Sequence, residues 1–266
     1  MSTTAYPTAP PAYNSAPPST AGAPLLNSGS SLTNDPDADL PDDFKYSTTV
    51  AQCSLSVRNM FVRKVYTILF CQLTLTGIMS TVFMFNQTIR EWVQSHPAMM
   101  FVSLFGSMGL LFATYIKRHS YPTNIFFLTG FTLLEGYSVA TITTFYQTQI
   151  VVEALLITML VFAGLTLFAM QTKYDFTSWM SYLGMALWAL MGMGLIAMFF
   201  PYSSLGELGF GALSALLFSG YVLVDTQLIM KHYQPEEEIA ASISLYLDFI
   251  NLFLAILRIL NSQQDN

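Results

Sequence analysis

Two aspartates in otherwise apolar stretches are the residues of this sequence best able to do chemistry. Asp225 lies in "SGYVLVDTQ" and Asp248 in "SISLYLDFINLFLA". A charged carboxylate at the centre of a membrane helix costs about 2.5–3.5 kcal/mol on insertion scales, and such residues mark functional sites by default. Two carboxylates brought together at low dielectric cannot both ionise cheaply, so they would share a proton. Both ionised, the pair would offer the hard oxygen ligands that suit Ca²⁺.

The spacing of the two aspartates predicts that they meet. The midpoint between residues 225 and 248 falls in a polar joint, "HYQPEEE". If the flanking helices form an antiparallel hairpin there, both carboxylates lie roughly 10–17 Å along their helices from the turn, at matching depth. The alternative is that each aspartate only hydrogen-bonds a neighbouring Ser, Tyr or Asn and fixes helix packing.

The elements that must hold these aspartates are membrane helices. Of the 266 residues, 53% are hydrophobic and 10% are charged, against about 25% charged in a soluble domain. Seven apolar runs are long enough to cross a bilayer, which takes about 20 helical residues; they lie at about 65–85, 97–116, 125–145, 150–170, 177–200, 205–230 and 240–260. The sequence predicts an all-α polytopic membrane protein with seven transmembrane helices over 51–266 and no nucleic-acid binding; the alternative for the seventh run is a re-entrant hairpin.

The first 50 residues have a different composition, rich in Pro, Ser, Thr, Ala and Asp. Such a segment cannot bury enough apolar surface to offset its ordering entropy, so we predict a disordered tail. Within it, Pro10, Pro11 and Tyr13 form a P-P-x-Y pattern. A proline-preset extended segment with an aromatic anchor suits the groove of a WW domain. We predict a WW-bearing ubiquitin ligase as a partner, with chance occurrence in a Pro-rich tail as the alternative.

Basic residues near the span ends predict the orientation of the chain. They accumulate on one side of the seven spans, at Arg58, Arg63, Lys64, Lys117, Arg118, Lys173 and Lys231. The short loops of the other side contain Arg90 alone. Because Lys and Arg are retained on the cytosolic side, we predict a cytosolic N-terminus. We expect no cleavable signal peptide, so the first helix would serve as the targeting signal.

A third membrane carboxylate, Glu135, lies in "FTLLEGYSVATI". Helical rise places it about 21 Å into the third helix, facing the bundle interior. Nearby Gly, Ser and Thr residues suit either tight packing or a polar ion path, and both readings stay open. Paired aspartates also serve intramembrane proteases, but that chemistry goes with a G-x-G-D element. Asp225 and Asp248 follow "VLV" and "LYL" instead, so we expect no enzyme.

The segments "SGYVLVDTQ" and "SISLYLDFINLFLAILRIL" resemble the transmembrane Bax inhibitor motif family, and "FTLLEGYSVATI" resembles its eukaryotic lifeguard-like branch. The resemblance covers roughly residues 55–262. It implies a bundle whose last helix is central and wrapped by the other six. It also implies a pH-sensitive Ca²⁺ leak whose two gating aspartates match Asp225 and Asp248. A basic residue at the end of the second helix, which would pair with the first aspartate in the closed form, would fall on Arg118, with Lys117 adjacent. We call this basic residue the latch.

The resemblance further implies a location and a physiological role. Eukaryotic members are associated with membranes of the endoplasmic reticulum, Golgi and, in fungi, vacuole, and with cell death and the unfolded-protein response. We therefore expect an intracellular multi-pass protein with no cofactor other than Ca²⁺ as a permeant or bound ion. The alternative is a non-conducting membrane protein that binds cell-death or stress-signalling partners.

Overall fold

The seven predicted spans are helices. The structure is a computed structural model that describes residues 49–117, 120–200 and 203–264. In these ranges all regular secondary structure is helical, and seven helices are long and apolar enough to cross a membrane. They are α1 Leu55–Phe85, α2 Pro97–Ile116, α3 Thr123–Thr143, α4 Thr148–Gln171, α5 Met180–Phe199, α6 Ser204–Lys231 and α7 Glu238–Gln264. The prediction of an all-α, seven-span protein is confirmed.

The first helix differs most from its predicted bounds, since α1 begins at Leu55 and not near residue 65. Its first turns contain Arg58, Arg63 and Lys64, which an apolar criterion leaves out although such residues form helices readily. Lys64 Nζ lies 3.7 Å from a carboxylate oxygen of Glu238, at the start of α7. The polar extension of α1 therefore meets the first turn of α7.

A short helix that was not predicted, the linker helix Gln87–Ser95, joins α1 to α2. Asn86 caps it, because the side-chain oxygen accepts a hydrogen bond from the Ile89 amide at 3.2 Å. Val93 is buried, whereas Trp92 is exposed and stacks on His96 at 4.7 Å between ring centroids. An amphipathic segment with an exposed Trp suits the membrane interface.

The last helix is the central one, as predicted. In its most apolar 18 residues, 61% of the side chains of α7 are buried, against 6% for α5. Helix α7 packs mainly against α1, α3, α4 and α6, whereas α2 packs on α3 and α5 on α6. The resemblance implies six helices around α7, and four of these six are its main partners. The face of α7 toward α5 borders a cavity.

Ion pairs and backbone contacts bring several connections together at one end of the bundle. Lys231 Nζ lies 3.6 Å from Asp175 in the α4–α5 loop, and the Val50 amide donates to the Tyr233 carbonyl at 2.9 Å. We call this end the basic end, since Lys64, Lys173 and Lys231 belong to it, and the end with the linker helix the far end. The basic end is where the aspartates are expected.

Gln227, two residues after Asp225, anchors the α4–α5 loop to α6. Its side chain is buried; Oε1 accepts from the Phe176 amide at 2.7 Å, and Nε2 donates to the Tyr174 carbonyl at 2.7 Å. In the same loop Asp175 accepts from the Thr177 hydroxyl and amide, which lowers the pKa of this exposed carboxyl. The loop therefore stabilises the segment of α6 that positions Asp225.

Candidate functional site: a buried aspartate pair at the end of a cavity

Asp225 and Asp248 face one another across the α6–α7 hairpin. Asp225 lies roughly 9 Å before the end of α6 at Lys231, and Asp248 lies roughly 15 Å after the start of α7 at Glu238. Their exposed fractions are only 6% and 5%. The two carboxylates interact electrostatically and border the same cavity. The structure therefore brings these two predicted site residues together.

The pair has few hydrogen-bonding partners. Asp225 lies beside the Ser244 hydroxyl, which donates to the Ala241 carbonyl at 3.1 Å. Among the described residues, Asp225 Oδ1 and Asp248 Oδ2 have no hydrogen-bond partner. A buried charged group without partners is costly. A shared proton or a bound cation would remove most of that cost, so the geometry suits a site that exchanges protons and cations.

Toward the basic end, the pair is covered by Tyr233 and the chain before α1. The half-buried Tyr233 lies beside Ser244, the serine that also lies beside Asp225. Burial raises the pKa of Tyr233 to about 12, so the hydroxyl stays protonated and can donate. Val50 is fully buried and its amide bonds the Tyr233 carbonyl. These contacts close the basic end of the site.

Toward the far end, the pair opens into a cavity of about 630 Å³ between α5, α6 and α7. Helix α7 contributes one face of its surface over Ser244, Asn251 and Arg258. Asn251 Nδ2 donates to the Leu247 carbonyl at 2.8 Å, so its amide oxygen is left to the cavity. The remaining lining is mostly apolar, including Leu187, Leu190, Met191, Phe210, Phe218 and Leu254.

The outer end of the cavity contains an ion pair between α6 and α7. Arg258 Nε lies 3.2 Å from Glu207, and the guanidinium carbon lies 4.6 Å from the centre of the Phe210 ring. The nearby Tyr146 has a raised pKa, because burial disfavours its charged form. The basic residue late in the seventh helix thus has a carboxylate partner. The outer end of the cavity therefore has a neutralised ion pair, and the inner end has the two aspartates.

Glu135 lies in a second polar cluster, apart from the aspartate pair. It is close to the Ser107 hydroxyl of α2 and to Tyr246 of α7. In this cluster Tyr246 and Thr76 hydroxyls are 2.9 Å apart, and Gln72 Nε2 donates to Thr132 at 3.0 Å. Glu135 faces the bundle interior, as expected, but does not line the cavity. Its part in an ion path stays a prediction.

Two further sets of predicted residues have no described contact with the aspartates. Arg118 of the latch lies outside the described residues, as do Pro10, Pro11 and Tyr13. Lys117 is exposed at the end of α2, a helix whose main contacts are with α3 and the linker helix. Both the latch and the WW-ligand motif stay predictions.

Several site residues were missed by sequence reasoning. Ser244 and Asn251 could have been found, since they lie about one helical turn either side of Asp248 on the same face. Tyr233 and Val50 gave no signal, because they reach the site only through the fold. The pairing of Glu207 with Arg258 also depends on how α6 and α7 pack.

The pair alone is too small for a resident metal site. Ca²⁺ takes six to eight oxygen ligands, and two carboxylates supply at most four. Within the part of the chain that the structure describes, no three His, Cys, Asp or Glu side chains are grouped to hold a metal. Ser244, Asn251 and water would have to complete the coordination. The donors present fit a weakly held, passing cation better than a structural ion.

These features define a multi-pass helical membrane protein with a buried carboxylate pair, and known proteins are similar to it in sequence. The family described as "Inhibitor of apoptosis-promoting Bax1" matches residues 58–265. Protein lifeguard 4 of Mus musculus is 42% identical over 227 residues, which cover 85% of this chain and 95% of the mouse protein. Bax inhibitor 1 of Schizosaccharomyces pombe is 43% identical over 225 residues, 85% of each chain. The Golgi anti-apoptotic protein of vaccinia virus is 40% identical over 221 residues, 83% of this chain and 93% of the viral one.

The chain therefore belongs to the Bax inhibitor family, which also includes the lifeguard proteins. The resemblance seen in "SGYVLVDTQ" and "SLYLDFINLF" is confirmed. Both aspartates of the pair lie within the matched segment.

Proposed function

We propose that this protein is a pH-sensitive, Ca²⁺-permeable leak channel of an intracellular membrane, gated by Asp225 and Asp248. The observation that carries the proposal is the pair itself: two buried carboxylates on adjacent helices, each with an oxygen that lacks a hydrogen-bond partner among the described residues, at the end of a cavity. Protons and Ca²⁺ compete for the same oxygens, since a carboxylate must be deprotonated to bind a cation. Occupancy of the pair therefore changes with pH.

The cover at the basic end is the part of the path that must open. Tyr233, Ser244 and the segment around Val50 separate Asp225 from that end. The cavity already gives the pair access from the far side. A change of charge at Asp225 reaches Tyr233 through a single serine, which supports a gate at this point.

The relatives and the charge distribution support a proposed location and role. We propose a cytosolic N-terminus and basic end, with the far end facing the lumen of the endoplasmic reticulum, Golgi or vacuole. The relatives named Bax inhibitor 1 and Golgi anti-apoptotic protein support a link to regulated cell death. Leak of Ca²⁺ from a store would connect the location in an intracellular membrane with the regulation of cell death.

The test is Ca²⁺ flux into liposomes that contain the purified full chain and a Ca²⁺ indicator, recorded from pH 6 to 8. We expect pH-dependent flux in the native protein, and flux that is abolished or constant with pH after Asp225→Asn/Asp248→Asn. Glu153→Gln is the control, because Glu153 is an exposed carboxylate outside the cavity that accepts a hydrogen bond from Gln149 in α4. An unchanged pH profile in the double variant would contradict the gating pair.

A second candidate is a non-conducting membrane protein that binds cell-death or stress-signalling partners. The closed basic end supports it, since the Asp225–Ser244–Tyr233 contacts would then serve only packing. This candidate predicts no flux at any pH in correctly folded and oriented protein. It also predicts that the double Asn variant, if stable, keeps its cellular activity.

A further inference from the structure

The cavity beside the aspartate pair is larger and more apolar than passage of an ion requires. Its volume of about 630 Å³ falls in the range of about 300–1,000 Å³ typical of sites for organic ligands. A Ca²⁺ ion needs oxygen ligands along its way. The walls instead present Leu187, Leu190, Met191 and Phe218 over most of the length.

The charges in the cavity are distributed unequally. At the far end Arg258 is already neutralised by Glu207 at 3.2 Å. At the inner end Asp225 and Asp248 are more than nine-tenths buried, and within the described residues each has an oxygen without a hydrogen-bond partner. The uncompensated charge is therefore negative and lies at the inner end only. If the pair shares one proton, its remaining charge matches a single cation.

We propose that this cavity binds a protonated long-chain amine, with the ammonium group between Asp225 and Asp248 and the alkyl chain directed toward Phe210 and Arg258. An ammonium provides three N–H donors and one positive charge, which the two unpartnered oxygens and Ser244 can accept. The chain would follow the α7 face from Asp248 to Arg258, a path of about 15 Å. Apolar contact along that path supplies most of the binding free energy.

Access to the cavity is provided by α5. This helix is the least buried of the seven spanning helices described, and Tyr182, Met185 and Trp188 are exposed on it. An amphiphile dissolved in the bilayer would therefore enter the cavity past α5. Bound there, it would occupy the oxygens that a passing cation needs and block the leak, and this last consequence rests on the proposed function.

Two glycines of α5 give a matched pair of variants. A Cβ at Gly194 would meet the Phe210 ring at 3.7 Å inside the cavity, whereas nothing lies within 4 Å of a Cβ at Gly184. Gly194→Phe should place an aromatic ring in the cavity beside Phe210, and Gly184→Phe should add the same side chain outside it. Both substitutions change the helix propensity equally. A difference in amine binding between the two variants would therefore arise from the side chain placed in the cavity.

The experiment measures saturable binding of radiolabelled dodecylamine to the full chain in nanodiscs, with dodecanol as the uncharged probe of equal length. We expect binding of the amine that weakens by about tenfold or more in Asp248→Asn, the scale of one lost hydrogen bond to a charged group. Gly194→Phe should weaken it at least as much, and Gly184→Phe should leave it unchanged. Saturable binding of dodecanol with equal affinity, or full amine binding by Gly194→Phe, would overturn the proposal.

The binding result and the flux result are separable. Amine binding in a protein that shows no Ca²⁺ flux would retain the ligand site and remove the leak channel. Flux that dodecylamine does not inhibit, with no saturable binding, would retain the channel and remove the ligand site. Thermal unfolding of each variant in detergent shows whether it is folded, and Asp225→Asn provides a second test if Asp248→Asn is not.

Discussion

At the scale of single residues, the surroundings of a carboxylate distinguish its possible roles. Glu207 has Arg258 as its partner, and Glu153 is exposed and bonds Gln149. Asp225 and Asp248 differ from both, because they are buried with an unpartnered oxygen each in the described part of the chain. The charge of Glu207 is compensated by Arg258, and the charge of Glu153 is compensated by water. A proton or a cation would compensate the aspartates, and this is why the proposed site is placed there.

Tyr233 is expected to stabilise the closed basic end through its hydroxyl. Tyr233→Phe removes the polar contact between the hydroxyl and Ser244 and should lower the free energy of unfolding by about 0.5–1.5 kcal/mol. The loss is measured by thermal or denaturant unfolding in detergent at pH 8. Tyr121→Phe is the matched control, since Tyr121 is 80% exposed.

The pH dependence of stability gives a second test of the Tyr233→Phe variant. The pKa of Tyr233 rises from 10.0 to about 12 on folding, mainly through burial. Below pH 10 both states are protonated; above it the unfolded state loses the proton first, so native stability falls between pH 10 and 12. Tyr233→Phe should show a smaller fall over this window. An equal fall in both proteins would contradict the assignment.

At the scale of elements, the hairpin of α6 and α7 depends on close approach at Gly211. A Cβ there would lie 2.9 Å from the Ile259 side chain and 3.3 Å from the Ala255 carbonyl oxygen, whereas nothing lies within 4 Å at Gly209. Gly211→Leu should therefore destabilise the protein by about 1–3 kcal/mol relative to Gly209→Leu. Unfolding midpoints of the two variants measure this difference.

The comparison isolates packing because both variants gain the same helix propensity. If Gly211→Leu proves as stable as Gly209→Leu, α6 and α7 are not in contact at this level. The aspartates would then not be placed by a rigid hairpin. Under the proposed function, the Ca²⁺ flux of Gly211→Leu gives a second measurement, since shifting α7 against α6 should alter the pH dependence of that flux.

At the scale of the whole molecule, the charge distribution predicts one orientation. Ser178 lies in the α4–α5 connection at the basic end, and Ser95 lies in the linker helix at the far end; both are exposed. With Cys53 and Cys71 replaced by Ser, an impermeant maleimide should label Ser178→Cys and not Ser95→Cys in cells whose plasma membrane alone is permeabilised. Labelling of Ser95→Cys alone would reverse the orientation and place the cavity mouth in the cytosol.

Much of the architecture could be predicted from local properties of the sequence. Span number depends on apolar length, and the depth of Asp225 and Asp248 depends on helical rise and a short turn. The linker helix was missed because its nine residues are mostly polar and carry no apolar run. The start of α1 was placed too late because hydropathy detects the membrane-facing part of a helix and not its polar extension.

The sequence by itself determined the class of protein, its family and the meeting of the two aspartates. Only the tertiary structure decided what surrounds them. Some contacts join residues far apart in the chain, as in the pairing of Glu207 with Arg258 and the contact of Val50 with Tyr233. The position of Glu135 outside the cavity also depends on the fold. Such contacts depend on how each helix is rotated and displaced laterally, and α5 leaves a cavity beside α7 where a closer helix would have filled it. Apolar periodicity does not encode that displacement, because side chains toward lipid and side chains toward other helices are equally apolar in a membrane.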